Sequence, residues 1–228
     1  ANAINPALYR KLSYDQLRDF KSVSLIGTSP NLLVVHPSLP VMTVKQLIAL
    51  AKSKPGQLTF ASAGIASGQH LAGEIFKFQA QIDILHIAYK GGPQAVTDLI
   101  GGQVTMYFSA PPSALPHVRT GRLRLLAVSS ARRSVVAPDI PTIAEAALPD
   151  YEYVNWYAYF VPGATPPDIV ARLNSDTVKV LAMADLRQRL TAEGVDAIGS
   201  SPAELDAFVR KELAKNAHLI QLARIQVE

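Results

Sequence analysis

Short apolar runs rich in β-branched and aromatic residues punctuate the chain: VSLIG at 23–27, NLLVVH at 31–36, LTFA at 58–61, ILHIAY at 84–89, VTMYF at 104–108 and LRLLAVS at 123–129. Between them lie stretches whose apolar residues recur at helical spacing. Such alternation predicts βαβ units, an α/β fold and mainly parallel sheets. The helix starts are marked by chemistry. Thr43 precedes Gln46, Thr142 precedes Glu145, and Ser201 precedes Glu204 with Pro202 at the first helical position. In each, a hydroxyl stands three residues before a side chain able to reach back to it, the capping-box spacing. Thr165 followed by Pro166 predicts a further start, and Leu205, Phe208, Val209 and Leu213 put one apolar stripe on the last helix, a face that must be covered.

Two segments break the pattern. GTSPNLLVVHPSLP (27–40) and YEYVNWYAYFVPGATP (151–166) are long and extended. They read either as the paired crossovers of a two-lobed protein or as long strands of one sheet.

The stretch LTFASAGIASGQHLAGE (58–74) hands a strand over to a helix through residues that, apart from Ile65, carry almost no side chain. Leu71, Ile75 and Phe78 share a helical stripe, so the helix begins near Gly68 with Ser67 as its N-cap. His70 occupies the place where Glu or Gln would reach back, which leaves the first-turn amides without a carboxylate of their own. Small residues admit a ligand to the backbone, and the helix start favours an anion. A tight turn whose small residues merely fit is the alternative. A second turn, Tyr89-Lys90-Gly91-Gly92-Pro93, follows ILHIAY. In a parallel sheet both turns fall at the carboxyl edge, where open α/β sheets bind ligands. There Lys90 offers charge and Tyr89 a hydroxyl.

Composition narrows the chemistry. The 228 residues are 49% hydrophobic, enough for a large core, and carry a net charge of +4 with a pI near 9.3, which suits anionic small molecules. The basic residues are scattered, the densest group being Arg132 and Arg133, so no nucleic-acid footprint is read. There are no cysteines and the five histidines are dispersed without metal spacing. Neither a metal nor a cofactor is expected. No apolar run approaches the roughly 18 residues of a spanning helix. No nucleophile elbow, P-loop or zinc-protease motif occurs, and Ser67 and His70, three apart at one helix start, are not placed as nucleophile and base. Catalytic chemistry is thus hard to find in the residues themselves.

ASAGIASGQHLAGE, AYKGGPQAVTDLIGGQV, SALPHVRTGRLRLLAVSS, PDIPTIAEAALPDYE and FVPGATPPDIVARLN occur in an order and spacing that resembles the substrate-binding proteins of tripartite tricarboxylate transporters, the Bug or TctC family. The resemblance spans effectively the whole chain. It implies the type II periplasmic-binding-protein fold, two lobes with mainly parallel sheets joined by two crossover strands: residues 1–33 and 160–228 form the first lobe, 34–159 the second. It also implies a periplasmic protein that closes over a small organic anion, a carboxylate, and delivers it to a membrane permease. Ligand carboxylates in the family are held by amides, hydroxyls and waters at helix starts. Carried over, these contacts fall on Ser62, Ala63, Gly64 and Ser67 in one loop and Tyr89, Lys90 and Gly91 in the other, with Ala1 and Asn2 at the end of a third.

Two departures from the pattern matter. Family members usually carry a Gly-rich P-G-G loop ahead of the NP.LY segment, which supplies about half of the clamp. Its absence here leads to the expectation of an incomplete first lobe with exposed apolar surface and weak or absent ligand affinity. After VTMYF the family often has Asp-Asn where this chain has Ser109-Ala110, which removes a carboxylate from the cleft. The rival readings are the ligand-sensing lobe of a regulator and a small α/β hydrolase working through Ser67.

Overall fold

The computed structural model describes residues 4–8 and 11–222. Along the chain run α1 (Asn5–Leu8), β1 (Phe20–Pro30), β2 (Leu32–Val35), α2 (Val44–Ser53), β3 (Thr59–Ser62), α3 (Gly68–Ala80), β4 (Leu85–Ala88), α4 (Gly92–Ile100) and β5 (Met106–Ser109). Then follow α5 (Pro111–Arg119), β6 (Arg124–Val128), α6 (Ile143–Ala146), β7 (Val154–Pro162), α7 (Pro167–Leu181), α8 (Ala184–Ala192), β8 (Asp196–Ala197) and α9 (Pro202–Leu222). The chain divides into two compact units, residues 1–28 with 156–228 and residues 29–155, so it changes unit within β1 and again within β7. The boundaries read from sequence, after 33 and after 159, fall a few residues further along.

In the unit of residues 29–155 the strands lie in the order β4-β3-β5-β2-β6. β3 is parallel to β4 and to β5, while β2 runs antiparallel to both β5 and β6. Four strands therefore share one direction and β2 alone opposes them, so the sheet is mixed. The wholly buried Leu32, Val34, Ala61, Leu99, Tyr107 and Val128 belong to one core cluster. Leu and Val side chains such as these account for about 1.5–3 kcal/mol each on burial. Elsewhere in the unit Phe76, Phe108 and Tyr151 pack ring to ring, and the Tyr151 hydroxyl donates to Ala72 O of α3 at 2.8 Å. A buried phenol needs such a partner.

The face that α3 buries differs from the expected one. Leu71 and Ile75 are buried as predicted, but Phe76 completes the stripe and Phe78 is 50% exposed. Gly73 explains the choice: a β-carbon there would overlap the Phe60 ring. With no side chain at 73, α3 lies directly on β3, and that contact fixes its roll.

The other unit carries the sheet β7-β1-β8, with β8 antiparallel to β1. The predicted stripe of α9 is covered here. Leu205 and Val209 pack with Leu25, joined by Phe208, Leu213, Trp156 and Phe160. Beside them a cavity of about 440 Å³ opens among Phe20, Phe160, Val170 and Val209, and the buried Gln16 amide on its wall makes no hydrogen bond.

The capping boxes form at Thr142/Glu145 and Ser201/Glu204. At Thr43 the Gln46 side chain reaches one residue further back, to Met42 N at 2.6 Å. The expected cap at Thr165 is corrected: α7 begins at Pro167 and Pro166 is its N-cap, because a proline before another proline is held extended and so ends the non-helical approach.

Candidate functional site

Because β3, β4 and β5 run parallel, their carboxyl ends share one edge, and α3, α4 and α5 all start there. Two glycines draw the starts together. A β-carbon on Gly64 would stand 3.4 Å from Tyr89 O, and one on Gly92 would stand 3.3 Å from the Tyr107 hydroxyl. None of the three helices has an acidic residue in its first turn. In contrast, α6, α7, α8 and α9 each carry one: Glu145, Asp168, Asp185 and Glu204. An unneutralised helix start carries roughly half a positive charge.

The loop before α3 is the most constructed part. Ser62 is completely buried, and its hydroxyl accepts from Gly64 N at 3.2 Å and lies 2.7 Å from His86 Nε2. Gly64 and Ala66 take left-handed backbone angles, φ 136° and 64°. Ser67 N donates to Gly64 O at 3.1 Å, closing the turn. Ser67 is the N-cap, its hydroxyl accepting from His70 N at 3.2 Å. His70 does reach back, but to Ala66 N at 3.1 Å through Nδ1, a capping box displaced by one residue and built with an imidazole. Among the described residues the amides of Ile65, Gly68 and Gln69 are left without a hydrogen-bond partner. These are the donors a ligand would meet.

The second loop is barer. Gly91 is the N-cap of α4 with φ 132° and has no side chain to cap it. Tyr89 N donates to Ser62 O at 3.0 Å, tying this loop to the first. The Tyr89 hydroxyl, expected to face a ligand, instead donates to Asp98 Oδ2 of α4 at 2.8 Å, and burial together with that carboxylate pushes its pKa up to about 12. Lys90 is exposed. At the third start Ser109 is buried with its hydroxyl on Ala110 O, and Pro111 and Pro112 bring no N–H, so α5 offers few donors. Ser62, Ala63, Gly64, Ser67, Tyr89, Lys90 and Gly91 thus gather at one edge. Asn2 lies outside the described residues.

Several neighbours of the loop were not singled out from sequence. A β-carbon on Gly68 would overlap Asn155 Oδ1 and stand 3.2 Å from the Tyr153 hydroxyl, so the start of α3 rests on β7 and the residue before it. Asn155 in turn donates to Asn31 Oδ1 at 2.9 Å. The legible signal was polarity out of place: Asn31, His86 and Asn155 each interrupt an extended apolar run. His86 stacks on His70 with ring centroids 3.9 Å apart and planes 15° apart, and on Phe60 at 4.8 Å. Burial and the neighbouring His70 hold the His86 pKa down at about 4. The Ser62–His86 pair has the distance of a nucleophile and base, yet Ser62 has no exposed surface for a substrate to reach. Among the described residues the Ser67 hydroxyl has no base within hydrogen-bonding distance; its one bond is the backbone N–H of His70, which it accepts. Hydrolysis through either serine has no geometric support.

An α/β chain of two units whose helix starts collect at one sheet edge has the fold of the type II periplasmic binding proteins. The sequence matches the family described as tripartite tricarboxylate transporter family receptor, TctC, over residues 1–225, and the chain belongs to that family. A relative from Pseudomonas sp. (strain P51), the UPF0065 protein in the tcbD-tcbE intergenic region, is 36% identical over 213 residues, covering 93% of this chain and 63% of the relative. Among solved structures, Rpa4515 of R. palustris with adipate superposes with a TM-score of 0.90 at 34% identity, covering 99% of this chain and 75% of the other. MatC of Rhodopseudomonas palustris with bound malate gives 0.84 at 27% identity, covering 96% and 76%. The chain thus spans less than two thirds of the length of the Pseudomonas relative.

Proposed function

We propose that the protein is an extracytoplasmic, periplasmic receptor that captures a small carboxylate on the loops preceding α3 and α4 and delivers it to the membrane permease of a tripartite tricarboxylate transporter. The observation that carries this reading is the start of α3 at the sheet edge, which has no acidic residue in its first turn and leaves the Ile65, Gly68 and Gln69 amides unpartnered. Family membership and the adipate and malate of the two related structures support the same ligand class. Amides and hydroxyls bind a carboxylate without a dedicated arginine clamp, and such moderate affinity suits a receptor that must release its cargo.

The experiment is an NMR titration with adipate, malate and the neutral adipamide at up to millimolar concentration. A carboxylate is expected to shift the Ile65, Gly68 and Gln69 amides while adipamide leaves them in place. Shifts from no carboxylate, or equal shifts from adipamide, overturn the reading.

A further inference from the structure

The loop of residues 63–67 is held in a costly shape. A left-handed conformation is nearly free for Gly64 but unfavourable for Ala66. Something must hold Ala66 there, and the bond in place is its own N–H to His70 Nδ1, at 3.1 Å. To accept that bond Nδ1 carries no proton, so the neutral ring carries its proton on Nε2. That nitrogen lies 3.7 Å from Glu74 Oε1, one turn further along α3.

His70 cannot swing away. It is 6% exposed, pressed on one side against the His86 ring and near-parallel to Phe60 at 6.3 Å. His86 in turn reaches the other end of the same loop, through Nε2 to Ser62 Oγ, and Ser62 Oγ accepts from Gly64 N. Two stacked imidazoles therefore grip the two ends of one loop, each through a ring nitrogen.

We infer that His70 is a positioning residue for carboxylate binding: its unprotonated Nδ1 holds Ala66 in the left-handed shape that turns the Ile65, Gly68 and Gln69 amides outward, with His86 fixing Ser62 at the loop's other end. The inference rests on the proposed carboxylate site. A side chain with no acceptor at this position leaves the Ala66 N–H unmet, frees the loop and weakens the site.

The test compares wild type, His70→Asn and His70→Leu for adipate and malate affinity at pH 7.5. Asparagine places an oxygen close to the position of Nδ1. His70→Asn is expected to keep the affinity within about threefold. His70→Leu is expected to lose about tenfold at pH 7.5, the equivalent of one hydrogen bond of roughly 1.4 kcal/mol. Equal affinity for His70→Leu and wild type overturns the inference, as does a loss in His70→Asn as large as in His70→Leu. Should His70→Leu not fold, wild type and His70→Asn decide alone, and a loss of much more than about threefold in His70→Asn overturns it. Hydrogen exchange of the Ala66 amide in ligand-free protein separates this inference from the carboxylate reading. Slow exchange in wild type and His70→Asn but fast exchange in His70→Leu upholds the positioning role even if no carboxylate binds, and equal rates refute it.

Discussion

The Asn155 side chain occupies the space that a β-carbon on Gly68 would need, so the first residue of α3 rests against the residue that follows Val154 in β7. Alanine is the better helix former by about 1 kcal/mol, yet Gly68→Ala is expected to destabilise the protein by about 1–3 kcal/mol, because Asn155 must leave its bond to Asn31. Urea unfolding of Gly68→Ala, Asn155→Ala and the double variant measures the coupling. Additive effects would mean that the two residues do not compete for this space.

Gly73→Ala makes the same point inside the core. The added methyl overlaps the Phe60 ring, and the helix must shift or the ring must turn. A loss of about 1–3 kcal/mol is expected in denaturant unfolding, together with a changed near-ultraviolet aromatic signal. A stabilised variant would place α3 further from β3 than described.

Tyr89→Phe separates two roles for one hydroxyl. Since that hydroxyl is spent on Asp98, its removal is expected to cost about 1 kcal/mol of stability and to leave carboxylate affinity within about twofold. Calorimetry alongside thermal unfolding reads both, and a large affinity loss at unchanged stability would return the hydroxyl to the ligand.

His86 sets a direction for pH dependence. Folding holds its pKa at about 4 against an ordinary 6.5, so between those values the unfolded chain binds more protons than the folded one. Its contribution is complete above the unfolded value and is lost as pH falls through 6.5 toward 4. The ring is only partly buried, so the loss is about 1–2 kcal/mol and less than the full shift implies. In urea titrations at several pH values, His86→Asn is expected to show a shallower acid limb than wild type.

Strand positions were legible because β-branched runs and punctuating glycines survive in the sequence as local signals. Capping chemistry at Thr142 and Ser201 was legible for the same reason, since both partners lie within three residues. The roll of α3 was not: whether Phe76 or Phe78 is buried depends on how closely Gly73 lets the helix approach Phe60, a contact between elements. The histidine stack was equally hidden. His70 and His86 lie 16 positions apart and meet only when β4 pairs with β3, and the bond from the Tyr89 hydroxyl to Asp98 forms only when α4 folds back on the loop before it. The bareness of the loop, in contrast, was readable directly, because an absence of side chains is a property of the sequence itself.

The reversed strand β2 has a consequence for assembly order. It pairs Leu32 with Ser109 on one side and with Val128 on the other, so the second strand to emerge waits for two neighbours, β5 and β6, made much later. Contacts of such long sequence separation slow folding. Until β6 arrives, Leu32, Leu33, Val34 and Val35, all wholly buried in the finished protein, remain an apolar ribbon with an open edge, the kind of exposed surface that makes a folding intermediate prone to aggregate.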